Sequence, residues 1–296
     1  MVASFPMFHS ASEVDPARLL KQRRASIDSV YETLEALGDR ADSTKVAAVV
    51  ADALDHPSLG FLSLLEGGAD RLVAQSVAEY SRFVASEACN ANSAAGLVRI
   101  LLLQNVDLLW WDEESDFATD ADVAGSPDLV DLVTERTRGN VAFSFGVASD
   151  RLGRRARDFL VQRLIPDREP RGPGLAFTRV RPAMLGLLNE LSRATRSEAP
   201  SGTPPVRVTS VTRTVEHQLR LKSLGFSALL PSAHCRGWAA DIEVAWFDRF
   251  GAADALRAVL RDYLDRGVLN VIDEGRAWHV CLNPVEVERY HALGRG

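Results

Sequence analysis

Apolar residues recur three and four apart through most of the first half of the chain. Arg18-Leu19-Leu20 and Ile27-Asp28-Ser29-Val30-Tyr31-Glu32-Thr33-Leu34 set their hydrophobic positions on one helical face, and the pattern runs from Pro16 to about Arg82. Within it, Asp42-Ser43-Thr44 reads as a cap ahead of a helix over Val46 to Leu54. Helical periodicity continues from Leu72 to Ala88 and from Ser93 to Leu109, and again over Arg181 to Thr195, where Met184, Leu187, Leu188 and Leu191 share a face. Two proline- and glycine-rich stretches, Pro166 to Gly174 and Ser197 to Pro205, can continue neither a helix nor a central strand.

After Pro205 the period shortens. Val206-Arg207-Val208-Thr209-Ser210 alternates as a strand, and Thr214 is placed to cap a helix through Leu224. Trp238 to Val244 is a second strand-like segment, followed by a helix over Ala252 to Arg266 that Gly267 stops. Val268 to Ile272 and Ala277 to Leu282 then pair as a hairpin around Asp273-Glu274-Gly275-Arg276. The predicted class is α+β. A mostly helical region of unassigned role, residues 1–165, precedes a domain over 175–296 built on a small antiparallel sheet.

Composition narrows the function classes. The chain has 296 residues, 46% hydrophobic and 25% charged, which is enough for one large or two small folded units. A net charge of -6 leaves no basic footprint, which argues against nucleic acid as a partner. The basic clusters Lys21 to Arg24 and Arg151 to Arg157 are short and read as solvated helix faces. Cys89, Cys235 and Cys281 are too few and too scattered for a disulfide framework. Met1 to Asp15 lacks the layout of a signal peptide, and no apolar run has the roughly 20 residues a membrane span needs, so a cytoplasmic protein without a membrane partner is expected. The acidic run from Asp112 to Asp122 has no binding-loop spacing and reads as a solvated connector.

Candidate chemistry concentrates in Ser232-Ala233-His234-Cys235-Arg236-Gly237-Trp238-Ala239-Ala240-Asp241. A histidine lies in a loop, a glycine permits an unusual turn, and an aspartate follows seven residues on, at a strand. Neutral imidazole and carboxylate together suit Zn²⁺, and His279 on the last strand can complete the set. Three protein ligands with a fourth position open is the pattern of catalytic zinc. Cys235 and Cys281 adjoin two of these ligands but read as buried core thiols, and His217 as a helix-face residue.

The string resembles the Ser-x-His-x-x-Gly-x-Ala-x-Asp motif of the zinc D-alanyl-D-alanine carboxypeptidase/dipeptidase family, whose fold is shared with the Hedgehog signalling domain. Two further blocks carry the resemblance in the same order. Upstream, Thr209 to Gln218 is similar to that family's strand-end arginine and glutamine-bearing helix; downstream, Ala277-Trp278-His279-Val280 is similar to its Trp-His signature. The resemblance spans roughly Arg181 to Pro284. It implies a Hedgehog/DD-peptidase-like domain in which His234, Asp241 and His279 hold zinc. Arg213 would steady the substrate carbonyl oxygen as it becomes anionic, Gln218 would orient the loop bearing Arg213, and Gln218, Ser232 and Trp278 would line the substrate. The implied activity is a metallopeptidase cleaving an amide bond in a short peptide, of D-Ala-D-Ala or peptidoglycan-derived type.

One position departs from the family. Its general base is a glutamate three residues before the last histidine, and here Arg276 stands there. Glu274, five before, and Asp273, six before, are the carboxylates available to replace it. Arg276 leaves open a non-catalytic zinc module that recognises a peptide or partner, and the unassigned first half leaves open a biosynthetic enzyme on the same fold.

Overall fold

A computed structural model describes residues 15–85, 91–148, 174–224 and 228–294. Cys89, the Arg151 to Arg157 cluster and nearly all of the Pro166 to Gly174 stretch lie outside the described residues.

Four helices come first: α1 (Pro16–Leu37), α2 (Ser43–Asp55), α3 (Gly68–Ser81) and α4 (Ala94–Trp110). Asp15, Asp42 and Ser93 accept first-turn backbone N–H groups of α1, α2 and α4, which the helix itself leaves without partners. α3 ends at Ser81, short of the Ala88 expected from periodicity, which lies outside the described residues; past the helix Phe83 still packs on the helical core while Val84 is 72% exposed. α1 buries one stripe, Leu20, Ile27, Val30 and Leu34. α4 is buried nearly all round, because α1 and α3 cover one side and the sheet the other. Its polar residues Asn105 and Asp107 are buried with it and must find partners inside.

A connector holds α5 (Asp120–Gly125), β1 (Val130–Asp131), α6 (Leu132–Thr137) and β2 (Arg179–Val180), with β1 and β2 antiparallel. There follow α7 (Pro182–Glu198), β3 (Val208–Ser210), α8 (Val215–Ser223), β4 (Ala239–Glu243), α9 (Ala253–Asp265), β5 (Leu269–Glu274), β6 (Ala277–Leu282) and α10 (Val287–Leu293). The last four strands form one antiparallel sheet in the order β3-β4-β6-β5. The architecture is α+β, as the change of period predicts.

Register decides which residues share a face. His279 lies opposite Asp241 on one side and Ile272 on the other, and Ala277 opposite Glu274. Because strand side chains alternate, Asp241, His279, Asn270, Ile272 and Glu274 all project to one face. Ala240, Ile242, Val271, Trp278 and Val280 project to the other, into a core with α7 and α9. The polar face is the one α4 covers. The hairpin turn is tighter than the four residues read from sequence: β5 runs through Glu274, and only Gly275, at φ 79°, and Arg276 make the turn. That extension puts Glu274 in the ladder and fixes its face.

Two apolar clusters run through the described residues. Trp111, Leu132, Phe143 and Phe145 belong to one core with α7, α9 and the sheet, whereas α1 to α4 form a second core that also takes in Leu229 and Ile272. α10 packs directly on α7 at Gly186, where an added Cβ would lie 2.2 Å from the Tyr290 carbonyl oxygen. Among the described residues no helix is long and apolar enough to cross a membrane.

Candidate metal centre

His234 sits in a single 3-10 turn, Ala233–Arg236, which Ser232 caps by accepting the His234 N–H at 3.4 Å. Gly237 closes the turn at φ 77°, a conformation that favours glycine. The turn is clamped from outside. Arg213 N–H donates to the His234 carbonyl at 3.0 Å, and Phe117 N–H donates to that of Cys235 at 2.7 Å. Trp238 stacks on Trp111 with ring centroids 3.8 Å apart, and the Arg181 guanidinium covers Trp238 at 4.4 Å. Arg181 also pairs with Glu114 and Arg236 with Asp116. Part of the acidic run expected to be a solvated connector is therefore bonded to the elements that hold His234. Sequence spacing carried no sign of this, since both partners lie more than 60 residues away.

Three ligand atoms converge from this turn, β4 and β6. His234 Nε2 is 3.0 Å from Asp241 Oδ1 and 3.1 Å from His279 Nδ1, and His279 Nδ1 is 3.4 Å from Asp241 Oδ1. Metal–nitrogen bonds of 2.0–2.1 Å in a tetrahedron put neighbouring ligand atoms about 3.3 Å apart, so the triangle already has the right size. The outward nitrogens are committed as well. His234 Nδ1 lies 2.7 Å from the Val211 carbonyl and His279 Nε2 lies 3.1 Å from Asp107 Oδ2; both partners only accept, so both nitrogens donate. In the neutral rings the lone pairs are left on His234 Nε2 and His279 Nδ1, facing Asp241. This buried group can hold a metal ion.

The electrostatics agree. Burial, followed by the Arg213 charge, pushes His234 down to about 4, so it stays neutral. Burial works against the charge of Asp241 too, but the Arg213 guanidinium and the hydrogen bond from the His279 imidazolium outweigh it and hold this carboxyl well below the usual range. For His279, burial opposes protonation, yet hydrogen bonds to Asp107 and Asp241 prevail and lift it to about 10. Without a metal, a single imidazolium proton thus stands where lone pairs and carboxylate meet.

Arg213 flanks the centre. Its Nη2 binds Asp241 Oδ2, its Nε donates to Ser210 Oγ at 2.7 Å, and its Nη1 to Gln218 Oε1 at 3.0 Å. Gln218 is itself held by donating to the Leu229 carbonyl at 3.0 Å. Glu274 shares the sheet face of His279 and accepts from Gln104 Nε2 on α4 at 2.9 Å. Burial, with Asp241 adding to it and His279 opposing, raises Glu274 to about 7. Asp273 points to the opposite face, is exposed, and accepts from Gly275 N–H at 2.9 Å.

Two substrate-lining expectations fall elsewhere. Trp278 is buried on the far face of β6, in the apolar core with Arg261 over its ring, because strand alternation turns it away from His279. Ser232 is buried as the cap of the His234 turn. His217 packs edge-on to Phe177 and does not join the ligand group. Cys235 and Cys281 are buried free thiols, with burial pushing Cys235 up to about 12 and Cys281 well above its ordinary value. Asp107, Asn270 and Gln104 are the site residues sequence reading missed. The sign was there only in part: Asn270 is an amide inside the otherwise apolar Val268 to Ile272, whereas Asp107 shares Leu101 to Leu109 with two other polar residues, Gln104 and Asn105.

Compared with protein-family models, with characterised proteins and with solved structures, the chain finds no match.

Proposed function

We propose that this chain is a zinc-dependent hydrolase that cleaves an amide bond in a short peptide. One observation carries the proposal. Two imidazole lone pairs and a carboxylate oxygen converge within 3.4 Å, while the outward nitrogens of both rings are fixed as donors to Val211 and Asp107. Zinc held by His234, Asp241 and His279 would lower the pKa of its water to about 7 and polarise a scissile carbonyl.

The other roles belong to the chain's own side chains. Glu274, on the sheet face of His279 and held by Gln104, takes a proton from the attacking water at its carboxylate and returns it to the leaving amine. Arg213, its guanidinium held by Ser210, Gln218 and Asp241, presents fixed positive charge to the carbonyl oxygen as that oxygen becomes anionic. Arg213 and Gln218 act together, with Gln218 orienting the guanidinium. The substrate class, a peptide with D-Ala-D-Ala or related ends, rests on the sequence resemblance. Arg276 favours a second reading, a zinc module that binds a peptide without cutting it.

The test is incubation of the zinc-loaded chain with D-Ala-D-Ala and with L- and mixed-chirality dipeptides, reading release of free amine. Cleavage that stops with chelator and returns with zinc supports the hydrolase. Stoichiometric zinc with no cleavage of any short peptide favours the binding module.

A further inference from the structure

Asp107 is wholly buried on α4, and the proposed hydrolysis uses it only through its contact with the outward nitrogen of His279. A buried carboxylate is costly unless every oxygen is answered. Here the two oxygens are divided: Oδ1 accepts from Asn270 Nδ2 at 2.8 Å and Oδ2 faces His279 Nε2 at 3.1 Å. Asn270 is in turn fixed from both ends. Its Nδ2 also donates to the Leu103 carbonyl at 3.0 Å, and its Oδ1 accepts from Arg24 Nη1 at 2.5 Å. A guanidinium only donates, so the amide cannot be turned round. Four elements, α1, α4, β5 and β6, therefore meet in one run of hydrogen bonds ending on the ring of a metal-ligand residue.

We propose that Asp107 is a positioning residue for the metal centre: it holds His279 in the tautomer that aims Nδ1 at the cation, and Arg24 with Asn270 holds Asp107. The inference rests on the metal-centre reading above. It gives the amino-terminal helices a task at the site, because they supply the acceptor that orients a ligand from the last strand. A carboxylate can answer both His279 and Asn270. An asparagine at 107 has one acceptor and one donor, so one of the two N–H groups would face another donor.

The experiment measures zinc affinity by competition with a chromophoric chelator at fixed pH, for the full chain, Asp107→Asn and Val50→Ala. Val50 is buried in the same helical core and has no part in the hydrogen-bond run. The expected result is zinc binding about 10–100-fold weaker in Asp107→Asn, the usual effect of removing such a partner, with Val50→Ala unchanged. Long-range ¹H–¹⁵N spectra of the zinc-loaded wild type supply a second readout that needs no variant to fold: His279 should carry its proton on Nε2 and the metal on Nδ1. Unchanged affinity in Asp107→Asn, equal losses in both variants, or a proton on His279 Nδ1 would overturn the proposal while leaving zinc binding intact. A wild type that takes up no zinc would overturn this proposal and the hydrolase reading together.

Discussion

Glu274→Gln separates hydrolysis from metal binding. Glu274 stands opposite Ala277, two residues from His279 along β6, and is not one of the three convergent ligand groups. Glutamine keeps the shape and still accepts from Gln104 through Oε1, so the 2.9 Å contact to α4 survives. A neutral side chain is also easier to bury than a carboxylate already lifted to about 7 by desolvation, so the variant should fold. What it cannot do is take a proton. Losing a positioned base costs about 10²–10⁴ in rate, or roughly 2.7–5.5 kcal/mol of transition-state stabilisation. The assay compares initial rates on a cleaved dipeptide with zinc content measured on the same samples. Asp273→Asn is the internal control, since Asp273 faces the other side of the sheet and should keep full activity. A Glu274→Gln variant that retains zinc and more than about a tenth of the wild-type rate would refute the assignment of the base. Loss of zinc would instead make Glu274 a ligand.

Three other outcomes follow from the geometry. Arg213→Lys keeps a charge but cannot reach Ser210, Gln218 and Asp241 together; kcat should fall by about 10²–10³, and a change confined to KM would argue against a transition-state role. Zinc uptake at neutral pH should release about one proton per chain, because His279, lifted to about 10, holds one that the metal must displace; apparent affinity then rises about tenfold per pH unit below that value. Calorimetry in buffers of different ionisation enthalpy checks this, and release of no proton would contradict it. Gly186→Ala should lower Tm by several degrees: overpacking against Tyr290 costs about 1–3 kcal/mol, more than alanine's helix propensity of about 1 kcal/mol returns, and each kcal/mol is roughly 2–4 °C in a domain of this size class. An unchanged Tm would mean that α10 yields freely.

Much of the site was legible because it is local in sequence or tied to strand alternation. His234, Gly237 and Asp241 lie within eight residues, and the turn geometry that needs Gly237 is written in that spacing. Elements were legible where period and cap coincide, as in α2 behind Asp42 and α8 behind Thr214. Register was not. Choosing between Glu274 and Asp273 needed the pairing of β5 with β6, because one residue of slip exchanges their faces. Nor were the long-range partners legible: Asp107 lies 172 residues from His279, and only packing of α4 on the sheet brings them together. Trp278 shows the limit of motif reading, since the residue beside a ligand on a strand necessarily points the other way.

The metal centre carries the proposed function, and elemental analysis of the purified protein tests it most directly, on wild type and His234→Ala in parallel. About one zinc per wild-type chain and none in the variant is expected, since two remaining ligands no longer make a site. A wild type that is metal-free and cannot be reconstituted with added zinc, or a variant that keeps its metal, would contradict it.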